Sequence, residues 1–374
     1  MENGGFEMTP TVLHVVTSLD YGGVETHMKL IAEYGNRDQF VHSFCAIAGG
    51  GNAARTLAEG GHQVHILGAN PKIASVGAIF SITRVIWRLK PDVVHSHGGE
   101  ANFHGTIAAS LCFVKVRLAE EIGIPKHSQL ARLVFRIVYR LASAVIGISD
   151  AVANSVEHLR EVSRAKLCVI PLPFPVQPFH EFPANLEGES FHIAFVGRLE
   201  PVKNPGALIN AIYLLGKKGI KVELKIVGGG SLHTQLLDLG TTLGLSPNVF
   251  FLGYLDAPFE VLQDSQLLVQ PSITEGFGLA VVEAMSRGIP TLVSPHGAGP
   301  DLIENGKTGW ILSSVDPEAI AEHIAEIIRL SHETRLHVAS TASEFVRETF
   351  SVDKYLKRLH ELYSILGPTA RMPA

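Results

Sequence analysis

The chain has 374 residues, of which 46% are hydrophobic and 18% are charged. This apolar composition predicts a large buried core and argues against a disordered protein. At about 100 to 200 residues per domain, the length predicts two domains. The formal net charge of −5 argues against a protein that binds nucleic acid through bulk positive charge, so we expect no nucleic-acid partner.

Neither the cysteines nor the N-terminal segment indicates export. Cys45, Cys112 and Cys168 stand singly in apolar runs, which is typical of reduced core residues rather than of a disulfide framework. The first seven residues are polar and acidic, unlike a secretory signal. The longest apolar stretch, 74–89, is interrupted by two arginines, so the sequence predicts no transmembrane helix and a cytoplasmic location.

The first half of the chain alternates short apolar runs with helical patterns. An apolar run at 12–16 opens onto a glycine turn, and a helical pattern follows at 24–34. Further strands are predicted at 41–47, 64–66, 93–95, 114–118 and 144–148. Strands that alternate with helices predict a parallel sheet covered on both faces. Such sheets bind ligands at the carboxyl ends of their strands.

A proline-rich segment divides the chain. Five prolines lie from Pro171 to Pro183, and proline can continue neither a helix nor a central strand. Beyond them, strands are predicted at 191–196, 222–227, 249–252, 267–270 and 291–294, and helices after Pro205 and at 232–243, 318–330 and 353–366. We therefore predict domains at 1–178 and 179–350, and a C-terminal segment, 351–374, whose helix crosses back to the first domain.

The stretch 274–285 carries the most specific chemistry. Glu275 follows an apolar strand, and Glu283 lies on the helix that comes next. Gly276 and Gly278 let a ligand approach the free amide groups at the start of that helix, which favour an anion. Because two carboxylates would repel a bare phosphate, we interpret the stretch as a site for a phosphorylated sugar. Taken alone, it fits an ordinary strand, turn and helix equally well.

The loop at 197–205 supplies two cations. It follows the first strand of the predicted second domain, where such sheets bind ligands. Arg198 offers a planar fork of donors and Lys203 a flexible ammonium group, a pair suited to a diphosphate leaving group that gains charge as its bond breaks. Either residue alone would be interpreted as a surface side chain, but the Glu275 stretch in the same domain favours the diphosphate.

With these motifs the chain resembles the retaining glycosyltransferases of family 4, which have the GT-B fold. The resemblance spans nearly the whole chain, and its strongest marks are the loop 197–204 and the pair Glu275 and Glu283. The supporting marks are Tyr21-Gly22-Gly23, Val227 to Gly230, Asn248 to Gly253 and Asn305 to Gly309. The resemblance implies an α/β fold of two doubly wound, Rossmann-like domains facing each other across a cleft, the first for the acceptor and the second for the nucleotide sugar.

The resemblance also implies roles for individual residues. Arg198 and Lys203 would hold the donor diphosphate and stabilise it during transfer, Glu275 would address the transferred sugar, and Glu283 would bind the ribose. The remaining donor contacts implied are Gly22, Gly23, Gly229, Tyr254, Gly276, Phe277, Gly278 and Leu279. Enzymes of this family need no metal and no cofactor, because cationic side chains and a helix end replace the usual divalent ion. A UDP-sugar donor is favoured slightly over a GDP-sugar.

One departure from the family concerns the acceptor side. Members commonly have a histidine at the end of a first-domain strand, close to the reacting centre. The matching segment here is 116–121, so Glu120 stands at that place. Either Glu120 assumes the catalytic role on the acceptor side or another group does, and we prefer His97 as an acceptor-site or phosphate-side group.

His95 and His97 alternate along one strand and therefore share one face of it. A metal site would need a third ligand beside this pair. The sequence shows no nearby cysteine or suitably spaced carboxylate, so we predict that these histidines bind no metal.

A helical stretch places Arg132, Arg136 and Arg140 on one face among apolar residues. Two interpretations stay open. The arginines form a solvated helix face, or they dock the protein peripherally on the inner, anionic face of a membrane that carries a lipid-linked acceptor.

The resulting prediction is a metal-independent, retaining hexosyltransferase. It would move a sugar from a nucleotide diphosphate sugar to a hydroxyl acceptor in polysaccharide, lipid-linked glycan or glycoconjugate synthesis. Retention follows from the resemblance alone. The alternatives are a sugar nucleotide epimerase or hydrolase of the same fold, a non-catalytic subunit that binds sugar nucleotides, and, at the level of the fold, an NAD oxidoreductase.

Overall fold

The computed structural model describes residues 9–20, 22–175, 177–184, 190–255 and 257–367. The chain divides into two compact units. The first consists of Met1–Pro173 together with Val352–Ala374, and the second consists of Phe174–Ser351. The first unit thus ends at residue 173 rather than at 178, and the C-terminal segment begins at 352 rather than at 351.

The first unit is built on a parallel sheet. Its described strands are β1 Thr11–Val16, β2 Val41–Ala46, β3 Gln63–Ile66, β4 Val93–His97, β5 Val116–Glu121, β6 Ala144–Gly147 and β7 Leu167–Val169. Their order in the sheet is β3-β2-β1-β4-β5-β6-β7. The chain winds outward in one direction from β1 and in the other from β4, and loops that leave adjacent strands in opposite directions open a crevice at the carboxyl edge.

Helices cover both faces of this sheet. They are α1 Gly23–Tyr34, α2 Asn52–Glu59, α3 Val76–Leu89, α4 Gly99–Leu111, α5 Gln129–Leu141 and α6 Asp150–His158. Apolar side chains of α1 and α2 pack on one face of the sheet, and those of α3, α4 and α5 pack on the other. This is the doubly wound arrangement predicted from the alternation of strands and helices.

The strand predicted at 114–118 is displaced. It begins at Val116 and continues to Glu121. Val114 belongs to the turn after α4, where its N–H donates to the Ala109 carbonyl oxygen at 3.0 Å. Apolar residues continue from the end of the helix into the strand, so the apolar run by itself does not mark where the strand starts. The three-residue strand β7 was not predicted.

The second unit repeats the architecture with a smaller parallel sheet. Its described strands are β8 Phe191–Val196, β9 Val222–Val227, β10 Val249–Gly253, β11 Leu267–Gln270, β12 Thr291–Val293 and β13 Trp310–Ile311. They lie in the order β10-β9-β8-β11-β12-β13. Here the winding reverses between β8 and β11, so the loops after these two strands flank the crevice at the carboxyl edge.

The sequence did not indicate three helices of the second unit, two of them short and one, α13, long. The described helices are α7 Pro205–Lys217, α8 His233–Thr242, α9 Pro258–Val261, α10 Leu279–Arg287, α11 Gly299–Leu302, α12 Pro317–Arg329 and α13 His332–Thr349. Helix α13 was missed because much of its buried face is formed by the short side chains of Ala339, Ala342 and Ser343, which give little hydrophobic periodicity.

The early end of the first unit has a local cause. The Phe174 N–H donates to the Phe350 carbonyl oxygen at 2.8 Å, and the His180 N–H donates to the Arg287 carbonyl oxygen at 2.9 Å. Gln177 donates from its backbone to the Ser286 hydroxyl at 3.2 Å. The residues after Pro173 are therefore fixed to the second unit by hydrogen bonds, which a count of prolines cannot show.

The last helix, α14 Val352–Leu366, belongs to the first unit. Tyr355, Leu356, Leu359 and Tyr363 recur at helical spacing and join the core between the sheet and α1. Among the described residues, none of the helices combines the length and the hydropathy that a membrane span requires.

Candidate active site

Two loops flank the crevice of the second sheet. After β8, residues 197–204 pass through a short 3₁₀ turn, Pro201–Lys203, before α7 begins. After β11, residues 271–278 lead into α10. The Ile273 N–H donates to the Val202 carbonyl oxygen at 2.8 Å, and this bond holds the two loops together. The predicted cationic loop and the predicted carboxylate loop are therefore neighbours.

Lys203 and Glu275 are in direct contact. The Lys203 ammonium forms an ion pair with Glu275 Oε2, and the same oxygen accepts from the Ser272 hydroxyl at 3.3 Å. The two side chains of the pair are 18% and 19% exposed, so a ligand can still reach them. Arg198 lies in the same loop as Lys203 and is exposed. The sequence assigned Lys203 and Glu275 to different parts of the donor and did not predict that they would pair.

The backbone of Glu275 is fixed from below. The Ala298 N–H donates to the Glu275 carbonyl oxygen at 3.0 Å. Gly297, in the left-handed region at φ +65°, lies so close that a Cβ there would collide with the backbone of Glu275. Gly297 and Ala298 thus fix the position of the Glu275 loop. Nothing in the sequence pattern singled them out.

The start of α10 lies next to this loop. Gly278 precedes Leu279, the first residue of the helix, and a glycine has no side chain with which to cap the first amide groups. Those amide groups and the helix dipole favour an anion. Phe277 points the other way, because its ring is buried and meets Phe350 edge-on at 5.5 Å. Of the predicted stretch 276–279, Phe277 can therefore offer a ligand only its backbone.

Glu283 is held by an arginine one turn along α10. Its Oε1 lies 3.5 Å from the Arg287 guanidinium, which also donates to Gln177 Oε1 at 3.2 Å. Burial raises the pKa of Glu283, although Arg287 opposes the shift. The sequence predicted Glu283 but missed Arg287 and Gln177, because residue type and spacing gave no reason to separate them from ordinary surface residues.

The glycine loop at 228–230 packs closely on the Arg198 loop. The Leu199 N–H donates to the Gly229 carbonyl oxygen at 2.9 Å, and a Cβ on Gly228 would collide with the Gly197 carbonyl oxygen. The Glu200 carboxylate accepts from the Ser231 N–H and hydroxyl at 2.9 and 2.7 Å. These contacts fix the Arg198 loop on the side of β9. Tyr254, predicted to line the base pocket, follows β10 and is 68% exposed.

In the first unit the predicted donor contacts Gly22 and Gly23 are exposed at the start of α1. Tyr21, which belongs to the same motif, lies outside the described residues. The Glu25 carboxylate is buried in the first turn of α1 and accepts from the Ser18 hydroxyl at 3.1 Å. This contact joins the loop after β1 to the helix.

His97 and Glu120 differ from expectation, because both side chains are buried inside the first unit. They are 1% and 0% exposed, and His97 Nδ1 donates to Glu120 Oε2. Burial lowers the pKa of His97 to about 3. In this position an acceptor cannot reach either side chain. The burial therefore argues against the catalytic roles predicted for them on the acceptor side. Along β5 successive side chains point to opposite faces, and Glu120 points towards α1 and α14.

The expectation that His95 and His97 have no third ligand near them is wrong. Ligand atoms of His14, His95 and His97 lie within 4.8 Å of one another, and so do those of His27, His97 and Glu120. The additional groups come from β1, β5 and α1, which are distant in sequence, so spacing along one segment could not reveal them.

Comparisons with known proteins agree with this architecture. Residues 176–345 match the family model of the glycosyl transferases group 1, and residues 22–173 match that of the glycosyl transferase 4-like domain. With its two Rossmann-like units, the chain is a glycosyltransferase of the GT-B fold.

Individual relatives are similar over most of their length. The chain is 27% identical over 285 residues to the putative colanic acid biosynthesis glycosyltransferase WcaL of Salmonella typhimurium, covering 72% of this chain and 70% of WcaL. It is 26% identical to the UDP-Gal:alpha-D-GlcNAc-diphosphoundecaprenol alpha-1,3-galactosyltransferase of Escherichia coli, covering 78% and 80% of the two chains.

Solved structures show the same fold. Anabaena HepE in complex with UDP and glucose superimposes with a TM-score of 0.79 at 21% identity, over 94% of this chain and 99% of HepE. The lipopolysaccharide outer core galactosyltransferase WaaB gives a TM-score of 0.72 at 18% identity, over 95% and 99% of the two chains.

Proposed function

We propose that the chain is a retaining glycosyltransferase that moves a hexose from a UDP-sugar to a hydroxyl acceptor without a catalytic metal. The observation that carries the proposal is the meeting of the Lys203 loop, the Glu275 loop and the start of α10 at the reversal point of the second sheet. The relatives support the donor, since HepE structures hold UDP and UDP-glucose and one relative is named for UDP-Gal.

The donor diphosphate would bind between Arg198 and Lys203. Lys203 is already oriented by Glu275, so an arriving phosphate takes over the ammonium and leaves the Glu275 carboxylate free to accept from a sugar hydroxyl. The amide groups at the start of α10 complete the positive surroundings. As the bond to the sugar breaks, negative charge grows on the diphosphate. Positioned donors of this kind typically lower the activation barrier by about 2.7 to 4 kcal/mol each. For this reason the transfer step does not require a divalent ion.

The ribose would bind at Glu283. The Arg287 guanidinium, itself anchored by Gln177, keeps this carboxylate in one orientation. An ionised carboxylate accepts from both ribose hydroxyls, and charge-assisted hydrogen bonds of this kind are about twice as strong as neutral ones. Glu283 therefore contributes to donor affinity rather than to the chemical step.

The acceptor would bind in a pocket of the first unit. A pocket of about 600 Å³ lies at the carboxyl ends of β4 and β5, a size usual for small-molecule sites. Gly98, Gly99, Glu121 and several apolar residues line it. The Glu121 carboxylate accepts from the Tyr139 hydroxyl and from Asn102 Nδ2, and burial raises its pKa. On these grounds Glu121, rather than Glu120, is the carboxylate of β5 that addresses the acceptor.

A lipid-linked acceptor suits the surroundings of this pocket. Leu130, which lines it, begins an exposed apolar stripe on α5 that continues through Leu133 and Ile137. Arg132 and Arg140 are exposed on the same helix. An apolar stripe with basic residues matches the surface of an anionic membrane, and the E. coli relative is named for a diphosphoundecaprenol acceptor. We therefore assign α5 to peripheral membrane contact, in polysaccharide or lipid-linked glycan synthesis.

Thermal unfolding with a panel of UDP- and GDP-sugars, followed by transfer assays, tests the proposal. A donor present at one hundred times its dissociation constant should stabilise the protein by about 2.7 kcal/mol. Product should form only when an acceptor is present, at a rate that added Mg²⁺ or Mn²⁺ does not raise, and NMR should show that the anomeric configuration is retained. Consumption of donor at the same rate without acceptor, or an inverted product, would contradict the proposal.

A further inference from the structure

Five polar side chains form a buried cluster in the first unit. The histidine cluster consists of His14 on β1, His27 on α1, His95 and His97 on β4, and Glu120 on β5. Each of the five side chains is 3% exposed or less. A carboxylate sealed from water in this way needs a compensating positive charge close to it. Among the described residues, the Glu120 carboxylate is paired only with histidine rings, and the Glu120 backbone bonds the Asn102 side chain.

Contacts inside the cluster converge on Glu120 and His97. Glu120 Oε2 accepts from His97 Nδ1 and lies 3.4 Å from His95 Nε2. On its other side, His97 Nε2 shares a hydrogen bond with His14 Nδ1 at 3.0 Å. The His27 ring meets the His97 ring edge-on, with 5.5 Å between the centroids. The cluster is therefore a compact group of nitrogen and oxygen atoms around His97.

Several of these atoms have no hydrogen-bond partner among the described residues. They are His27 Nδ1, His95 Nε2 and Glu120 Oε1. Buried polar atoms in native proteins are nearly always paired, so three orphaned atoms in one small volume indicate a missing partner. Each of them is an atom that can coordinate a metal.

The opposite nitrogen of each of these two histidine rings is held in place. His27 Nε2 bonds the Tyr355 hydroxyl at 2.6 Å, and His95 Nδ1 bonds the Tyr363 hydroxyl at 2.9 Å. Both tyrosines belong to α14. A histidine that binds a metal through one nitrogen almost always has the other nitrogen fixed by a hydrogen bond, which sets the orientation of the ring. In the His95 ring it is the orphaned Nε2 that faces Glu120, at 3.4 Å from Oε2.

We propose that His27, His97 and Glu120 bind a divalent transition metal of the zinc class, with His95 as the fourth ligand. The ligand atoms of the first three residues already lie within 4.8 Å of one another, so small side-chain rotations bring them to zinc-binding distance. Three imidazoles and one carboxylate form a ligand set that zinc accepts in a tetrahedral site. The metal neutralises the buried carboxylate and satisfies the orphaned atoms.

This site is structural and distinct from the donor site. Its ligands come from α1, β4 and β5 of the first unit, and α14 orients two of them, so the metal joins three elements beneath the C-terminal helix. No ligand belongs to the loops that hold Arg198 or Lys203. Loss of the metal should therefore lower the stability of the fold, and this effect can be measured without an assay of transferase activity.

Metal analysis of the tag-free, full-length protein tests the proposal. After expression in zinc-supplemented medium, elemental analysis should find about one zinc per chain. Chelator-treated protein should unfold at a lower temperature, and Zn²⁺ at one hundred times its dissociation constant should raise that temperature by about 5 °C or more. Co²⁺ bound in place of Zn²⁺ should give the visible absorption of a tetrahedral site.

Three variants identify the ligands. Glu120→Gln and His97→Asn should reduce the bound zinc to less than a tenth of the wild-type amount. His360→Asn should retain it, because His360 is a buried histidine of α14 itself that lies outside both groups of ligand atoms and bonds Gln39. Wild-type protein that contains no metal and shows no thermal shift with Zn²⁺ or Co²⁺ would overturn the proposal, whether or not the variants fold. Zinc retained by folded Glu120→Gln and His97→Asn would overturn it as well.

Discussion

Glu120 in the first unit and Glu275 in the second both lie near the carboxyl end of a sheet strand beside a nitrogen donor. The side chain of Glu120 is 1% exposed and that of Glu275 is 19% exposed. Glu120 is still within its strand, and α1 and α14 cover it, whereas Glu275 lies in the loop beyond β11. Of these two carboxylates, the one that a ligand can reach lies beyond the end of its strand, and the one still within its strand serves the fold.

The second unit should therefore lose the most activity when its exposed cations are removed. Lys203→Ala and Arg198→Ala should each lower kcat/KM a hundredfold or more, because one positioned donor typically lowers the activation barrier by about 2.7 to 4 kcal/mol. Steady-state kinetics with a fixed acceptor measures the change. Lys225→Ala is the matched control, since Lys225 forms an ion pair with Asp264 at 2.9 Å in the same unit. Near-normal turnover in both Lys203→Ala and Arg198→Ala would contradict the proposed donor site.

The support beneath Glu275 should be the next most sensitive feature. Gly297→Ala forces a Cβ into the backbone of Glu275 and should lower the free energy of unfolding by about 1 to 3 kcal/mol. Gly306→Ala is the control, because Gly306 has φ +78° but open space around its missing Cβ. Urea denaturation of both variants separates the clash from the cost of the left-handed backbone, about 1 kcal/mol. Equal decreases in the free energy of unfolding would mean that the Glu275 loop moves aside for the new Cβ at no energetic cost.

Glu283 should affect binding more than chemistry. Glu283→Gln should weaken donor binding about tenfold, about 1.4 kcal/mol, because a charge-assisted hydrogen bond becomes a neutral one. Isothermal titration calorimetry measures the affinity, and kcat should change little. The matched control is Glu223→Gln, because Glu223 is a carboxylate of β9 that lies near His192. An unchanged affinity in Glu283→Gln would place the ribose elsewhere.

The protonation of Glu283 should make both stability and donor affinity depend on pH. Its pKa in the folded protein is raised by burial, so the folded state holds the proton more tightly than the unfolded state does. The contribution of Glu283 to stability is therefore greatest at low pH and is lost as the pH rises through its folded pKa. Donor affinity should run the opposite way and fall in acid. Denaturation and calorimetry between pH 4 and 7, with Glu283→Gln as reference, measure both trends.

The smallest expected effect concerns the surface of the first unit. Leu133→Asp should reduce binding to vesicles of anionic phospholipid several-fold, because it puts a charge into the exposed stripe of α5. Leu237→Asp is the control, since Leu237 is an exposed leucine on α8 of the second unit. Co-sedimentation with the vesicles measures the bound fraction. Equal binding by both variants would remove α5 from the membrane contact.

The sequence was most informative where the local pattern and the ligand coincide. The glycines and carboxylates of 274–285 predicted a loop and a helix start, and α10 begins at Leu279. The strands β8, β9 and β11 were predicted to the residue. Apolar residues mark their ends clearly, in a continuous run in β11 and in alternation with Glu223 and Lys225 in β9. The sequence was least informative at 114–121, where apolar residues lie both in the turn before the strand and in the strand itself. Which face Glu120 and Glu121 occupy depends there on where the strand begins.

Contacts across long separations were beyond the reach of sequence patterns. Lys203 and Glu275 are 72 residues apart, and both were predicted as site residues without the ion pair that joins them. The same holds for Arg287 with Gln177, and for the tyrosines of α14 that hold His27 and His95. Such pairs depend on the order of the strands in the sheet, which the residue spacing within one segment does not predict.

By itself the sequence determined two α/β units, the strands that carry the candidate site and the residue types available for donor chemistry, because secondary structure follows from local periodicity and turn residues. The tertiary structure alone decided which of those residues are open to a ligand. It buried His97 and Glu120 beneath α14 and left Lys203 and Glu275 accessible in the loops. The physical reason is that burial is a property of what packs above a residue, and in this chain the covering helix comes from the opposite end of the sequence.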